Sequence, residues 1–256
     1  MRPAGLLLAG LACTASAHNA PPQPVTIVAH RGLSEGVPEN TLAAFRQSIA
    51  NGVSIIELDL RVTRDGQLIV LHDLTLDRTT DCAGAAAAIN VARIKTCDAG
   101  HGERVPTFAE VIALVQSEPV RLLADVKEGT PIGPVLKAVR QLHAERQVIL
   151  GLRSIKYVAR ARAALPDTTI LAFMPKQTDA AAFRDAGADI LRLWSDWADA
   201  DPPLIARTRS LGPQVWIMVG RRLPSNPAQW RALHSRMIAA GAQGLITDRP
   251  DLISSP

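Results

Sequence analysis

The chain has 256 residues and a formal net charge of +4, a length that suits one large α/β barrel or two small domains. Apolar residues make up 47%, enough for a sizeable core, and aromatics only 4%. Its 28 basic and 24 acidic residues are interspersed without a Lys/Arg block, which argues against nucleic acid as a partner and leaves a mildly basic surface suited to small anions.

The N-terminus reads as a leader. Arg2 precedes the short apolar stretch Leu6–Ala12, and Ala15-Ser16-Ala17 forms an A-x-A cleavage signal. The expectation is a signal peptide at 1–17 and a single mature domain at 18–256, exported to the periplasm or secreted. The rival reading is a lipoprotein acylated at Cys13, behind the imperfect lipobox Gly10-Leu11-Ala12. In neither case is the stretch long enough for a stable membrane span. Cleavage leaves Cys82 and Cys97, which in an exported chain are expected to pair, the alternative being two free thiols. They lie in a stretch from Asp81 to Arg104 that shows no element pattern, a long loop that a staple would stabilise by roughly 3 kcal/mol.

From Pro24 onward, short apolar runs alternate with helical patterns. Strands are predicted at 25–29, 55–60, 68–72, 121–126, 148–152, 169–174, 189–194, 214–219 and 244–247. Asn40 is placed as the cap of a helix carrying Leu42, Phe45 and Ile49 and ending at Gly52. Thr107 opens a helix over 108–116, Pro134 one over 135–144, and Asn226-Pro227 one reaching Ala240, while 180–186 ends at Gly187. Strand–helix alternation predicts a parallel sheet, and its repetition predicts a (β/α)8 TIM barrel; no GxGxxG supports a doubly wound alternative.

One strand is in excess, and Asp65-Gly66 explains it. A DG pair between alternating runs signals a hairpin, because parallel neighbours cannot be joined so tightly. A two-residue loop would pair Arg64 with Gln67 and, stepping outward, Asp59 with His72. Glu57 and Asp59 share a face, since strand side chains alternate. Spacing therefore predicts a cluster of Glu57, Asp59 and His72, with His30-Arg31-Gly32 at another strand end.

Carboxylates on one strand face need solvent or a cation. All-oxygen donors without cysteine point to Ca2+ or Mg2+ as the cofactor. Asp125, closing the run Leu122–Ala124, is the candidate third ligand, or simply the ion-pair partner of Lys127. Arg31 and Lys127 suit phosphate oxygens, and His30 and His72 suit proton transfer near neutrality. This is the inventory of metal-dependent phosphodiester cleavage.

The same residues carry a resemblance. His30-Arg31-Gly32, Pro38-Glu39-Asn40-Thr41, Glu57-Leu58-Asp59, Thr63-x-Asp65-Gly66, His72-Asp73, Leu76-Asp77-Arg78-Thr79-Thr80, Pro106-Thr107 and Gly244-x-x-Thr247-Asp248-x-Pro250 resemble the glycerophosphodiester phosphodiesterase family over essentially the whole mature chain, most densely from 30 to 80. The resemblance implies a TIM barrel with a short hairpin and loop insertion after the second strand. It implies metal-dependent hydrolysis of glycerophosphodiesters, such as glycerophosphocholine or glycerophosphoethanolamine, to sn-glycerol 3-phosphate and an alcohol. His30 becomes the general acid and His72 the general base, Glu57 and Asp59 metal ligands, and Arg31 a phosphate contact.

Two positions depart from the family pattern. Asp125 stands where a glutamate is usual, and Trp216-Ile217-Met218 lacks the family's asparagine. Trp216 either walls the site or fills the barrel, and Glu39 either orients a site group or favours the helix N-terminus electrostatically. His101, His143 and His234 read as surface residues. Two other functions fit less well. One is a related phospholipase D-like barrel acting on lysophospholipids, which would require an apolar groove at the barrel mouth to which Leu33, Val37 and Trp216 could contribute and which the sequence does not show. The other is a non-catalytic phosphate-binding barrel.

Overall fold

The computed structural model describes residues 24–33, 35–219 and 223–253; the predicted leader and Cys13 lie outside them. Nine strands are formed among the described residues: β1 (Thr26–Ala29), β2 (Ile55–Val62), β3 (Leu68–Val70), β4 (Arg121–Val126), β5 (Val148–Leu152), β6 (Thr169–Ala172), β7 (Ile190–Trp194), β8 (Gln214–Met218) and β9 (Gly244–Thr247). The helices are α1 (Leu42–Ala50), α2 (Val91–Ile94), α3 (Phe108–Val115), α4 (Ile132–Gln141), α5 (Ile155–Ala164), α6 (Ala180–Asp185), α7 (Ser195–Ala200), α8 (Leu204–Arg209) and α9 (Pro227–Ala239). Eight strands pair in parallel, and β1 pairs with both β2 and β9, closing the barrel. The predicted TIM barrel is what the chain forms.

The near-continuous apolar runs follow from this closure, because each strand is covered on both faces. Residues such as Leu58, Leu60, Leu122 and Leu191 face the surrounding helices. Their neighbours Val28, Ile55, Leu123, Ile149, Leu171, Ile190 and Ile246 fill the barrel interior. Glu57 and Asp59 belong by alternation to the inward set, at the end where active sites of this fold assemble.

β3 runs antiparallel to β2, as the Asp65-Gly66 pair predicts, but one register step away: Leu60 pairs with Val70 and Val62 with Leu68. The turn has three loop residues, with the Thr63 amide donating to Gln67 O and the Gly66 amide to Thr63 O, and Gly66 in the left-handed region at φ 77°. A third loop residue shifts the pairing, so Asp59 lies opposite Leu71, whose amide donates to its carbonyl at 2.9 Å.

Four further expectations are corrected. The N-cap of α1 is Thr41, whose hydroxyl accepts from the Ala44 amide. α4 starts three residues before Val135, at Ile132, because a proline is tolerated in the first helical turn. The stretch from Asp81 to Arg104 holds α2 and packs round a small core of its own, including Ile69, Leu76, Ile94 and Val105. His234, on α9, is buried and bonds the Thr247 hydroxyl through Nε2. The structure joins Cys82 to Cys97 across 5.6 Å between Cα atoms. Among the described residues no helix is long and apolar enough to cross a membrane.

Candidate active site

The strand C-termini open into a cavity of about 810 Å3 whose lining includes His30, Arg31, Glu39, His72, Asp125 and Lys127. All but Glu39, which stands in the loop before α1, sit at or just past a strand end. The sharp turn after β1 is made by Arg31 and Gly32 in left-handed conformations at φ 57° and 80°. It aims the Arg31 amide at Glu57 Oε2, 2.8 Å away. A Cβ on Gly32 would press on Ala44 at 2.9 Å, so the glycine is needed for both its φ and its space.

His30 Nδ1 lies 2.6 Å from Asp248 Oδ1, and its Nε2 lies 4.0 Å from Glu57 Oε2. His72 Nδ1 lies 2.6 Å from Asp73 Oδ1. The two rings are held alike but titrate apart. Burial disfavours the charged form of His30, yet Glu57 and Asp248 outweigh it and raise its pKa. For His72 burial prevails over Asp59 and Asp73, helped by the Lys127 and Arg31 charges, and lowers its pKa. Environments that separate two titratable groups in this way mark an acid and a base.

Glu57, Asp59 and Asp125 are all buried, with a ligand atom from each within 4.8 Å of the others. Burial and the Asp59 charge push the Glu57 carboxyl up, while Lys127 and Arg31 hold Asp59 down against its own burial. Glu57 Oε1 has no hydrogen-bond partner among the described residues. A buried carboxylate oxygen left orphaned beside two further carboxylates is the donor set a hard divalent cation requires. The three residues therefore fit a metal, and Asp125 reaches the set in spite of its shorter side chain.

Lys127 Nζ bridges Asp59 at 2.8 Å and Asp125 at 3.0 Å. Arg31 pairs with Glu39 at 3.0 Å, and Arg78 joins Glu39 to Asp73. Glu39 thus orients site cations, and Arg78 ties the insertion to the His72 side. Trp216 is corrected. It packs inside the barrel over Gly244, where a Cβ would meet the ring at 2.6 Å, and it borders the opposite mouth, not the site cavity. Leu33 is buried as well, so neither it nor Trp216 lines the apolar groove that a lysophospholipid substrate would require.

Several site residues escaped the sequence. Asn40 is buried at φ 58°; its amide donates to Asp59 Oδ2 at 2.7 Å and its Oδ1 accepts from the Asp59 amide. Arg153, just past β5, makes a two-pronged pair with Asp125 and lies 4.8 Å from the Phe173 ring. Asp248 and Asp73 stood in quoted motifs without a role. Position at a strand end was the signal available for Arg153 and Asp248.

A profile of the glycerophosphoryl diester phosphodiesterase family matches residues 30–252. The chain belongs to that family. Among curated family members, it is 37% identical over 151 residues to the glycerophosphodiester phosphodiesterase of Caldanaerobacter subterraneus, a match covering 52% of this chain and 62% of that protein. The human glycerophosphodiester phosphodiesterase 1 is 38% identical over 112 residues, 40% of this chain and 34% of its own length. The match therefore spans less than two thirds of either relative. The crystal structure of glycerophosphodiester phosphodiesterase from Agrobacterium tumefaciens superposes with a TM-score of 0.75 at 25% identity, covering 89% of this chain and 98% of that one. An Oleispira antarctica phosphodiesterase in complex with sn-glycerol 3-phosphate shares the family fold at a TM-score of 0.76 and 20% identity, covering 89% and 94%.

Proposed function

We propose that this chain hydrolyses glycerophosphodiesters to sn-glycerol 3-phosphate and an alcohol, with His30 as general acid and His72 as general base. The observation that carries the reading is the pair of histidines, each bound at Nδ1 by a carboxylate and shifted in opposite directions, above a buried acidic triad. Family membership and the product held by the Oleispira antarctica relative support it.

Protonated His30 donates Nδ1–H to Asp248, which leaves Nε2–H to protonate the departing alkoxide. Neutral His72 donates Nδ1–H to Asp73, which leaves the Nε2 lone pair to take the proton of the attacking hydroxyl. That hydroxyl belongs either to water or to the glycerol carbon next to the phosphate ester, the latter giving a cyclic phosphate that water opens. Arg31 and Lys127 line the cavity as counter-charges for the phosphoryl oxygens. Glu57, Asp59 and Asp125 would hold Ca2+ or Mg2+, which supplies positive charge to the phosphoryl group and lowers hydroxyl pKa. Removal of a leader and export are part of this proposal, and the Cys82–Cys97 bond supports an oxidising compartment.

The test is release of glycerol 3-phosphate from a glycerophosphodiester with Ca2+, with Mg2+ and with EDTA. Metal-dependent release that Asp59→Asn and His30→Ala both abolish is expected. Binding of the diester without turnover under any condition would refute hydrolysis and favour a phosphate-binding barrel.

A further inference from the structure

The three acids of the triad are not equally engaged. Glu57 Oε1 has no hydrogen-bond partner among the described residues, and Asp59 Oδ1 has the Lys127 charge beside it but no hydrogen bond. Asp125 has no such opening. Arg153 grips it with both prongs, Nη1 against Oδ1 and Nη2 2.7 Å from Oδ2. Lys127 Nζ donates to Oδ2 as well, at 3.0 Å. A carboxylate offers about four acceptor sites, and three of these are already taken. A divalent cation placed on the remaining one would share a single carboxylate with two other cations.

Arg153 follows β5 directly and lines the catalytic cavity with Arg31 and Lys127. Among the described residues Asp125 is the one carboxylate that pairs with it. Its other neighbours carry no charge: Nη1 lies 3.3 Å from the Val126 carbonyl, and the guanidinium carbon lies 4.8 Å from the Phe173 ring centroid. Burial disfavours its charge, yet Asp125, Asp59 and Glu57 outweigh burial and raise its pKa. The three carboxylates that would surround a metal thus already act on this guanidinium. Asp125 does not depend on Arg153 for its position. It is buried near the end of β4, and Lys127 ties it to Asp59.

We infer that Arg153 is an exchangeable counter-ion, which competes with the divalent cation for Asp125 and, once displaced, becomes a ligand of the phosphoryl group, so that metal and phosphate ester bind cooperatively. This exchange rests on the reading above, in which the triad holds Ca2+ or Mg2+ and the cavity holds a phosphodiester, and it adds a phosphate-binding residue to that site. Without metal the acids are matched by the protein's own cations, and metal alone binds weakly. A phosphate ester brings negative charge into the cavity that Arg153 already lines, and so gives the displaced guanidinium a second partner. Removing Arg153 therefore has opposite effects on the two ligands.

The test is calorimetry of the full protein: Ca2+ and Mg2+ in separate titrations, with and without glycerol 3-phosphate, and glycerol 3-phosphate itself at saturating metal. In the unmodified protein glycerol 3-phosphate is expected to tighten metal binding roughly tenfold, an ordinary size for coupling between two sites. Arg153→Gln is expected to tighten metal binding in the absence of glycerol 3-phosphate by roughly tenfold, since a positive charge at close range is gone. The same variant is expected to bind glycerol 3-phosphate about tenfold more weakly at saturating metal, the scale of one lost hydrogen bond between charged groups. Removal of a partner that merely orients a metal ligand weakens metal binding by about 10–100-fold, and that result overturns the exchange. Unchanged metal affinity in the variant overturns it too. So does a metal affinity of the unmodified protein that ignores glycerol 3-phosphate, a result read without any variant. If the unmodified protein binds neither metal, the reading of the triad fails together with the exchange. Metal-dependent turnover accompanied by the wrong sign in the variant overturns the exchange alone.

Discussion

The substitution Asp248→Asn is expected to move one limb of the pH–rate profile and leave the other in place. His30 must carry a proton to act as the acid, so activity falls as pH rises through its pKa. His72 must be neutral to act as the base, so activity falls as pH drops through its own. His30 is raised and His72 lowered, which predicts a bell with a broad top spanning neutrality. The introduced carboxamide would keep an acceptor for the His30 ring and lose the charge 2.6 Å away. A hydrogen bond to a charged group is worth about 1.5–3 kcal/mol, and about 1.4 kcal/mol corresponds to one pKa unit. The Asp248 side chain is 36% exposed, so solvent screening favours the lower end, a downward shift of about one unit in the basic limb. The assay is kcat against pH for both proteins, with the His30 ring followed by NMR. A basic limb that stays in place while the acidic limb moves would refute the assignment of the two histidines.

Asn40→Ala removes both hydrogen bonds that fix Asp59 and is expected to weaken metal affinity about 10–100-fold, read by metal titration of activity and by calorimetry. Cys82→Ser with Cys97→Ser opens a closure spanning 15 residues in sequence and is expected to cost about 3 kcal/mol in urea unfolding, an effect that reductant reproduces in the unmodified protein. Burial pushes the His234 pKa down to about 4, so the fold prefers the neutral ring. That stability is present above about pH 6.5 and is lost as pH falls toward 4, roughly 3 kcal/mol in all. His234→Gln is expected to flatten the stability curve over that window, and an unchanged slope in denaturant titrations would count against it.

The barrel was legible because burial on both faces leaves runs such as Leu122–Ala124 unbroken, and the helices between them follow caps and glycines that local chemistry dictates. Glu57, Asp59 and His72 were brought together in prediction by a hairpin register one step wrong. The cluster forms nonetheless, because His72 lies past the end of β3 and is not bound by its pairing. Asn40 shows the limit of local patterns: it is a good cap residue, yet Thr41 next to it takes that place and frees Asn40 for Asp59. Trp216 and Arg153 were harder still. Alternation tells which side chains point inward, but their height along the barrel axis depends on strand stagger. That height separates a ring plugging the far mouth from one walling the site. His234 was misjudged by residue type, although it completes the buried i, i+3, i+4, i+7 stripe of Trp230, Leu233 and Met237.

Residues 74–106, which begin just past His72 and Asp73, have a small core and a covalent bond of their own, and they meet the catalytic rim through Arg78. The segment is in effect a cassette. Its length and composition can drift without disturbing the strands that carry the chemistry, provided one arginine still reaches Glu39 and Asp73. Descendants of such a barrel can change what crosses its rim by rebuilding this cassette, and chimaeras that exchange it between relatives have two natural seams, one at each end.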